Sequence, residues 1–223
     1  MENFQVALDG PAGSGKSSIS EMVASRLGFV HIDTGAMYRA VTLEALRRNI
    51  NLEDEKEYDF IDDIEIIYIN NRTLLNQEDV SESIRSLEVS RNVSLVSSFK
   101  VVRDKMVKFQ RLSAKNGYVL MDGRDIGTTV LPNADVKIFL TASPEERANR
   151  RLKELQNNGI NESYESVLND IKTRDYKDSN RAISPLRKAE DAILVDTTTM
   201  SINEVCNTIV SIVSERMKEN GAN

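Results

Sequence analysis

The chain of 223 residues contains one cysteine and one histidine. A lone Cys206 excludes an internal disulfide and a cysteine metal cluster, and its place in an apolar helical pattern suits a small core residue. With His31 as the only imidazole, a histidine-based triad or zinc site would rest on that one residue, which reads as a strand side chain. Basic residues (29) are outnumbered by acidic ones (35), a formal charge of −6. The broad positive field of a general nucleic-acid binder is therefore missing, and any anion site must come from local arginine clusters. No apolar run reaches the roughly 20 residues that a bilayer span takes. No leader-like segment precedes Phe4, so a soluble protein of a reducing cytosol is expected. Internal repeats and low-complexity linkers are absent too, and the length suits one domain carrying inserts.

What the chain does have is Gly10-Pro11-Ala12-Gly13-Ser14-Gly15-Lys16-Ser17, a complete match to G-x-x-x-x-G-K-[ST]. An apolar run, Phe4 to Leu8, precedes it, and Ser18 to Leu27 follows with apolar residues at helical spacing. Strand, glycine-rich loop and helix form the order a polyphosphate cradle needs. The glycines let backbone N–H groups turn inward around the phosphates, and the helix adds unpaired amides and the positive end of its dipole. In such a loop Lys16 reaches the β- and γ-phosphates and the Ser17 hydroxyl ligates Mg²⁺.

The rest of the chain alternates in the manner of an α/β protein. Gly28 reads as a helix C-cap, Phe29 to Asp33 as a second strand, and Thr34-Gly35-Ala36-Met37-Tyr38-Arg39 as the start of a helix reaching about Arg48. Tyr38 and Arg39 would lie near the triphosphate, at the carboxyl ends of the strands, unless Arg39 is an incidental exposed residue. From Asn51 to Val80 the pattern changes: Ile64 to Ile69 and Thr73 to Leu75, around Asn70-Asn71-Arg72, predict a hairpin, with Val80 closing a third short strand. Helices are expected around Ile84 to Val96 and Lys100 to Lys115, carrying Arg85, Arg91, Ser94 and Arg103, each of which could be solvated surface. Tyr118 to Met121 reads as a buried parallel strand ending in Asp122-Gly123-Arg124-Asp125. Asp122 there either orders Mg²⁺ or caps the turn. A strand over Val136 to Leu140 leads into a helix starting at Ser143-Pro144, on which Arg147, Arg150 and Arg151 share one face and need an anion to offset their repulsion. Beyond the break at Asn157-Asn158-Gly159, Arg174, Asp178 and Arg181 share a helix face, as an ion-pair ladder or as a recognition surface. A last strand over Ala192 to Val195 and a helix from Ile202 to Met217, with Cys206, Ile209, Val210 and Val213 inward, complete the series.

Separated arginines and a helix pair able to cover the loop suit transfer from a nucleoside triphosphate to a second bound molecule. If the acceptor is itself a phosphate, it needs no general base, and the difficulty is bringing two anions together. Unit charges about 4 Å apart at an effective dielectric near 20 repel by about 4 kcal/mol, so several cations are required. A hydroxyl acceptor would instead call for a carboxylate base, with Asp33 or Asp125 as candidates. A nucleotide-sensing module docking through Ile64 to Leu75 is the remaining alternative.

Gly10 to Ser18, Asp33 to Arg39, Asp122-Gly123-Arg124-Asp125-Ile126-Gly127-Thr128, Lys137-Ile138-Phe139-Leu140, and Arg174-Asp175 through Asn180-Arg181 together resemble the bacterial cytidylate kinases, in the nucleoside-monophosphate kinase group of P-loop proteins. The resemblance implies a three-layer α/β fold with a five-stranded parallel sheet, an α+β acceptor-binding insert within 34–105 and a short helical lid within 145–182. It implies transfer from ATP to CMP or dCMP with Mg²⁺, in a cytoplasmic monomer that binds neither nucleic acid nor membrane; the runner-up is a shikimate-type kinase. Lys16, Arg39, Arg124 and Arg181 would carry the transfer, and Gly10 to Ser18 with Arg147, Arg150 and Arg151 would bind ATP. Thr34, Tyr38, Arg39 and Arg124 match positions around the acceptor's phosphate and sugar, and Ser94, Arg103 and Asp125 match positions near cytosine. Arg174, Asp178 and Arg181 match residues that reach the acceptor as the lid closes, and Ser17 and Asp122 would serve the metal.

Overall fold

The computed structural model describes residues 3–69, 71–157 and 159–221. Asn70 and Asn158, in two of the expected turns, lie outside them. Five apolar segments form a parallel sheet: β1 (Phe4–Asp9), β2 (Val30–Asp33), β6 (Tyr118–Gly123), β7 (Val136–Thr141) and β8 (Ile193–Asp196), in the spatial order β2-β6-β1-β7-β8. Central strands must bury both faces, which explains why they read as nearly continuous apolar runs. In β1, Phe4, Val6 and Leu8 point to one core and Ala7 to the other. The first core packs helices α1 (Lys16–Leu27) and α7 (Ile202–Glu219) on the sheet, with Cys206, Ile209 and Val213 fully buried and Val210 partly so. The second, larger core lies under α2 (Thr34–Arg47), α3 (Leu87–Val96) and α4 (Lys100–Ser113).

Between α2 and α3 the chain forms an antiparallel patch, β3 (Ile66–Ile69), β4 (Arg72–Leu75) and β5 (Glu78–Asp79). The third strand thus ends before Val80, which turns its side chain into the core while its N–H still donates to the Thr73 carbonyl at 2.9 Å. Two further helices, α5 (Pro144–Asn157) and α6 (Tyr164–Asn180), pack on each other around a small apolar cluster of their own: Ala148, Leu155, Val167 and Ile171. Among the described residues, no helix is long and apolar enough to cross a membrane.

The order of strands sets the site. From β1 the chain crosses to β2 on one side, and β7 and β8 lie on the other, so the crevice opens beyond the carboxyl end of β1. There α1 begins at Lys16, two residues earlier than its apolar spacing suggests. Gly15, at φ 84°, turns the chain straight into the helix, a left-handed conformation costly for a residue with a Cβ. Gly10 is required by contact, since a Cβ would lie 2.1 Å from the Leu140 carbonyl oxygen on β7.

Just before that glycine, Asp9 closes β1 and ties the phosphate loop to the next loop along the crevice. Its carboxylate accepts from the backbone N–H groups of Ile126 (2.7 Å) and Gly127 (2.8 Å). Burial, reinforced by the Asp125 charge and resisted by those two amides, pushes its pKa from 3.8 up to about 7. Between these values the folded protein holds a proton that the unfolded chain releases, so this group's contribution to stability falls as pH rises from about 4 to 7, on the order of 4 kcal/mol in all. Urea unfolding at pH 4.5 and 7 is expected to show this fall in the wild type and a flatter response in Asp9→Asn. An equal pH dependence in both would mean that Asp9 is ionised throughout.

Candidate active site

Lys16, the first residue of α1, is buried, and its ammonium donates to the Pro11 carbonyl at 2.7 Å and the Ser14 hydroxyl at 3.3 Å. Burial and the nearby positive charges of Arg124 and Arg174 lower its pKa, against the attraction of Asp122. A cation held so unfavourably gains from an anion arriving beside it. One residue on, the Ser17 hydroxyl donates to Asp122 Oδ2 at 3.1 Å. Asp122 and Asp33 are register partners on the adjacent parallel strands β6 and β2, which sets their side chains on one face. Burial, then the Asp33 charge, pushes Asp122 up from the usual carboxylate range, while the His31 hydrogen bond opposes this. For Asp33, burial is outweighed by the Arg39 guanidinium and the Ala36 amide, which hold it below that range.

No group of three His, Cys, Asp or Glu side chains that could hold a metal occurs among the described residues. The oxygens of Ser17 and Asp122, with Asp33 alongside, are hard donors of the kind Mg²⁺ accepts when a nucleotide supplies the remaining ligands.

From this floor a cleft of about 570 Å³ runs between the phosphate loop, α2, α3 and the α5–α6 pair. Arg39, Arg103, Arg124, Arg174 and Arg181 line it together with Lys16, although they come from separate segments. Two buried carboxylates hold most of them. Asp125 pairs with Arg103 and, at 3.2 Å, with Arg181. Asp178 pairs with Arg124 at 3.2 Å and Arg174 at 3.9 Å, and accepts from the Ser94 hydroxyl at 2.6 Å. Arg39 reaches Asp33 at 3.4 Å. Burial and the Arg124 charge bring Arg174 down to about 10, whereas Arg124 and Arg174 overcome burial to hold Asp178 below the usual carboxylate range. The Nε atoms of Arg39, Arg103 and Arg174 are buried with no hydrogen-bond partner. A buried donor without a partner is costly, and all three guanidiniums belong to residues that line the cleft.

Ala12, Gly13, Gly15, Ser17, Ser18, Thr34, Tyr38, Ser94 and Arg151 also line the cleft. Thr34 donates to the Asp122 carbonyl at 2.8 Å, and Tyr38 lies with its ring 5.5 Å from the Arg103 guanidinium carbon. Burial pushes the Tyr38 phenol up to about 12, so it is neutral at physiological pH. Gly10, Pro11 and Ser14 are not among the residues that line the cleft; Pro11 and Ser14 hold the Lys16 ammonium instead.

The three arginines of α5 do not act as one group. Arg147 is buried behind the loop, donating to the carbonyls of Ala142 (2.9 Å) and Ala12 (3.1 Å) and pairing with Asp175 at 2.7 Å. Arg150 donates to Thr197 and Glu146, and only Arg151, paired with Glu154 at 2.9 Å, faces the cleft. The shared face read from their spacing thus breaks up, because long side chains diverge beyond Cβ. Arg103 is no surface residue: its side chain is 2% exposed. Of the residues that work here, sequence reasoning passed over Asp9, and it gave Asp175 no role. Both lie beside or within quoted motifs, Asp9 directly before Gly10.

Comparison with known proteins follows the same lines. The cytidylate kinase family model matches residues 6–215. The chain is 51% identical over 213 residues to a cytidylate kinase of Acholeplasma laidlawii, covering 96% of each. It is likewise 51% identical over 222 residues to one of Leuconostoc mesenteroides, covering 97% of this chain and 99% of that one. Among solved structures, a gluconokinase from Sinorhizobium meliloti has a TM-score of 0.50 at 15% identity, covering 97% of this chain and 94% of that one, a likeness of fold alone. With half of its residues shared along almost its entire length, the chain belongs to the cytidylate kinase family.

Proposed function

We propose that the protein transfers the γ-phosphoryl group of ATP to CMP or dCMP, giving ADP and CDP or dCDP. The observation that carries this reading is the convergence of Arg39, Arg124, Arg174 and Arg181 on the cleft that Lys16 floors. A phosphate acceptor is anionic at neutral pH and brings its own nucleophile, so the protein's task is to hold two anions in line and offset their repulsion. The amides of the phosphate loop and Lys16 take the donor's phosphates. Arg39 and Arg124, with Thr34 and Tyr38, take the acceptor's phosphate and sugar from the other side. Ser17 and Asp122, with Asp33 beside them, would hold Mg²⁺, whose charge would offset that of the donor phosphates.

Base choice falls to Ser94, Arg103 and Asp125. A carboxylate has about four acceptor positions. Asp125 can therefore keep both arginines and still accept from the cytosine N4 amino group, whereas uracil presents a carbonyl there and is repelled. Residues 34–105 serve as the acceptor-binding insert and 145–182 as the lid, in a cytoplasmic monomer that takes nucleotides and no nucleic acid. A hydroxyl acceptor of the shikimate kind is disfavoured by the same geometry. Asp33 is too weak a base once Arg39 holds it.

An assay that couples ADP release to NADH oxidation, run with CMP, dCMP, UMP, AMP and shikimate, tests the proposal. CMP and dCMP are expected to exceed UMP in kcat/KM by about 10²-fold or more, with AMP and shikimate inert. Turnover of AMP or shikimate without CMP would overturn it.

A further inference from the structure

His31 has no part in the transfer as described, yet it is bound into the floor of the site. It lies on β2 with its side chain 7% exposed. Its Nε2 is 2.6 Å from Asp122 Oδ1, while Asp122 Oδ2 takes the Ser17 hydroxyl at 3.1 Å. An ionised carboxylate only accepts, so Nε2 carries the hydrogen of this contact and Nδ1 faces the opposite way. On that side stands Tyr68 of β3, its hydroxyl 3.5 Å from Nδ1 and its ring edge-on to the imidazole, with centroids 5.8 Å apart. The one hydrogen of that hydroxyl is directed to Asn71 at 3.3 Å, and Asn71 donates to Glu21 of α1 at 2.6 Å. The imidazole is thus gripped from behind by the antiparallel patch and presents one donor forward.

The need for that donor comes from Asp33. Two buried carboxylates side by side repel, and the Lys16 ammonium, which attracts Asp122 but is bonded to Pro11 and Ser14, does not fix its plane. We infer that His31 is a positioning residue: by donating to Oδ1 it fixes the plane of the Asp122 carboxylate, so that the oxygen shared with Ser17 is the one presented to the divalent cation of the nucleotide. This rests on the kinase reading above. Groups that orient a metal's ligands commonly carry 10- to 100-fold of metal affinity or activity. A histidine that merely fills space against Tyr68 would carry none of it.

Calorimetric titration of the whole protein with ADP, once with Mg²⁺ and once with EDTA, separates the two. The quantity read is the gain in ADP affinity that Mg²⁺ gives. His31→Leu removes the donor, and its gain is expected to fall on the order of tenfold while ADP affinity in EDTA stays at the wild-type value. His31→Gln, whose side-chain amide can donate to Oδ1, is expected to keep the gain within about threefold of wild type. His31→Asn, one methylene shorter, should behave like Leu and replaces it if the Leu variant does not fold. A wild-type gain in both the Leu and the Asn variants would overturn the inference, as would a Gln variant no better than Asn. Failure of the wild type to turn over CMP would sink the kinase reading instead, and the titration still judges His31.

Discussion

Lys16→Met is expected to lower turnover roughly 10³-fold or more while leaving the folded protein about as stable as before. Loss of a single donor aimed at developing negative charge commonly costs 10²- to 10³-fold, and here the donor carries a full charge in a water-poor cradle. Methionine keeps the length of the stem and removes only the ammonium. Without nucleotide that ammonium is a burden on the fold, since burial and the charges of Arg124 and Arg174 all disfavour it. Its hydrogen bonds to Pro11 and Ser14 offset part of this, so the net change in stability should lie within about 1 kcal/mol. Coupled-assay kcat and the thermal midpoint, measured on the same preparation, check both halves. Turnover within tenfold of wild type would mean that Lys16 does not meet the transferred group, and a collapsed midpoint would mean that its role is structural.

The second large effect is expected at Asp125. Replacing it with asparagine leaves the buried guanidiniums of Arg103 and Arg181 facing each other without the charge that joins them. Breaking a buried pair from one side typically costs 3–5 kcal/mol, most of it from the stranded partner, so a loss of about 3 kcal/mol or more is anticipated. The same change should reduce the preference for CMP over UMP by about tenfold, because an amide can donate to the uracil carbonyl that a carboxylate repels. The Arg103→Met/Asp125→Asn double variant tests the origin of the stability loss. It removes one stranded charge and should recover part of the stability without restoring the preference. Urea unfolding and the ratio of kcat/KM for the two acceptors are the measurements. An unchanged ratio in Asp125→Asn would free this residue from base selection.

Much of this architecture was legible in the sequence because it depends on local pattern. Strand, glycine loop and helix announced the phosphate cradle, and apolar runs too short for helices announced buried parallel strands. The antiparallel patch between Asn51 and Val80 was visible as a break in that rhythm. The depth of individual charges was not legible. Arg103 and Arg111 look alike on one helix, yet the first is buried against Asp125 and the second reaches over the surface to the carbonyls of Thr129 and Val130. His31 and Asp122 are 91 positions apart and meet only because β2 and β6 are neighbours. The reading of His31 as a strand side chain holds, but spacing along the chain could not supply its partner. Helical spacing likewise gave Arg147, Arg150 and Arg151 a common face, and only the surrounding carbonyls and carboxylates decide where each guanidinium goes.

The α5–α6 pair coheres through an apolar cluster, but it meets the rest of the molecule largely through polar contacts: Asp178 with Ser94 and Arg124, and Glu162 with Arg91 at 3.2 Å. These two kinds of attachment respond differently to the medium. Added electrolyte screens the exposed Arg91–Glu162 contact and, between the two helices, the exposed Lys172–Glu145 pair at 3.7 Å, but it leaves the apolar cluster that joins them unweakened. Ionic strength therefore loosens the seam more than it loosens the helix pair itself.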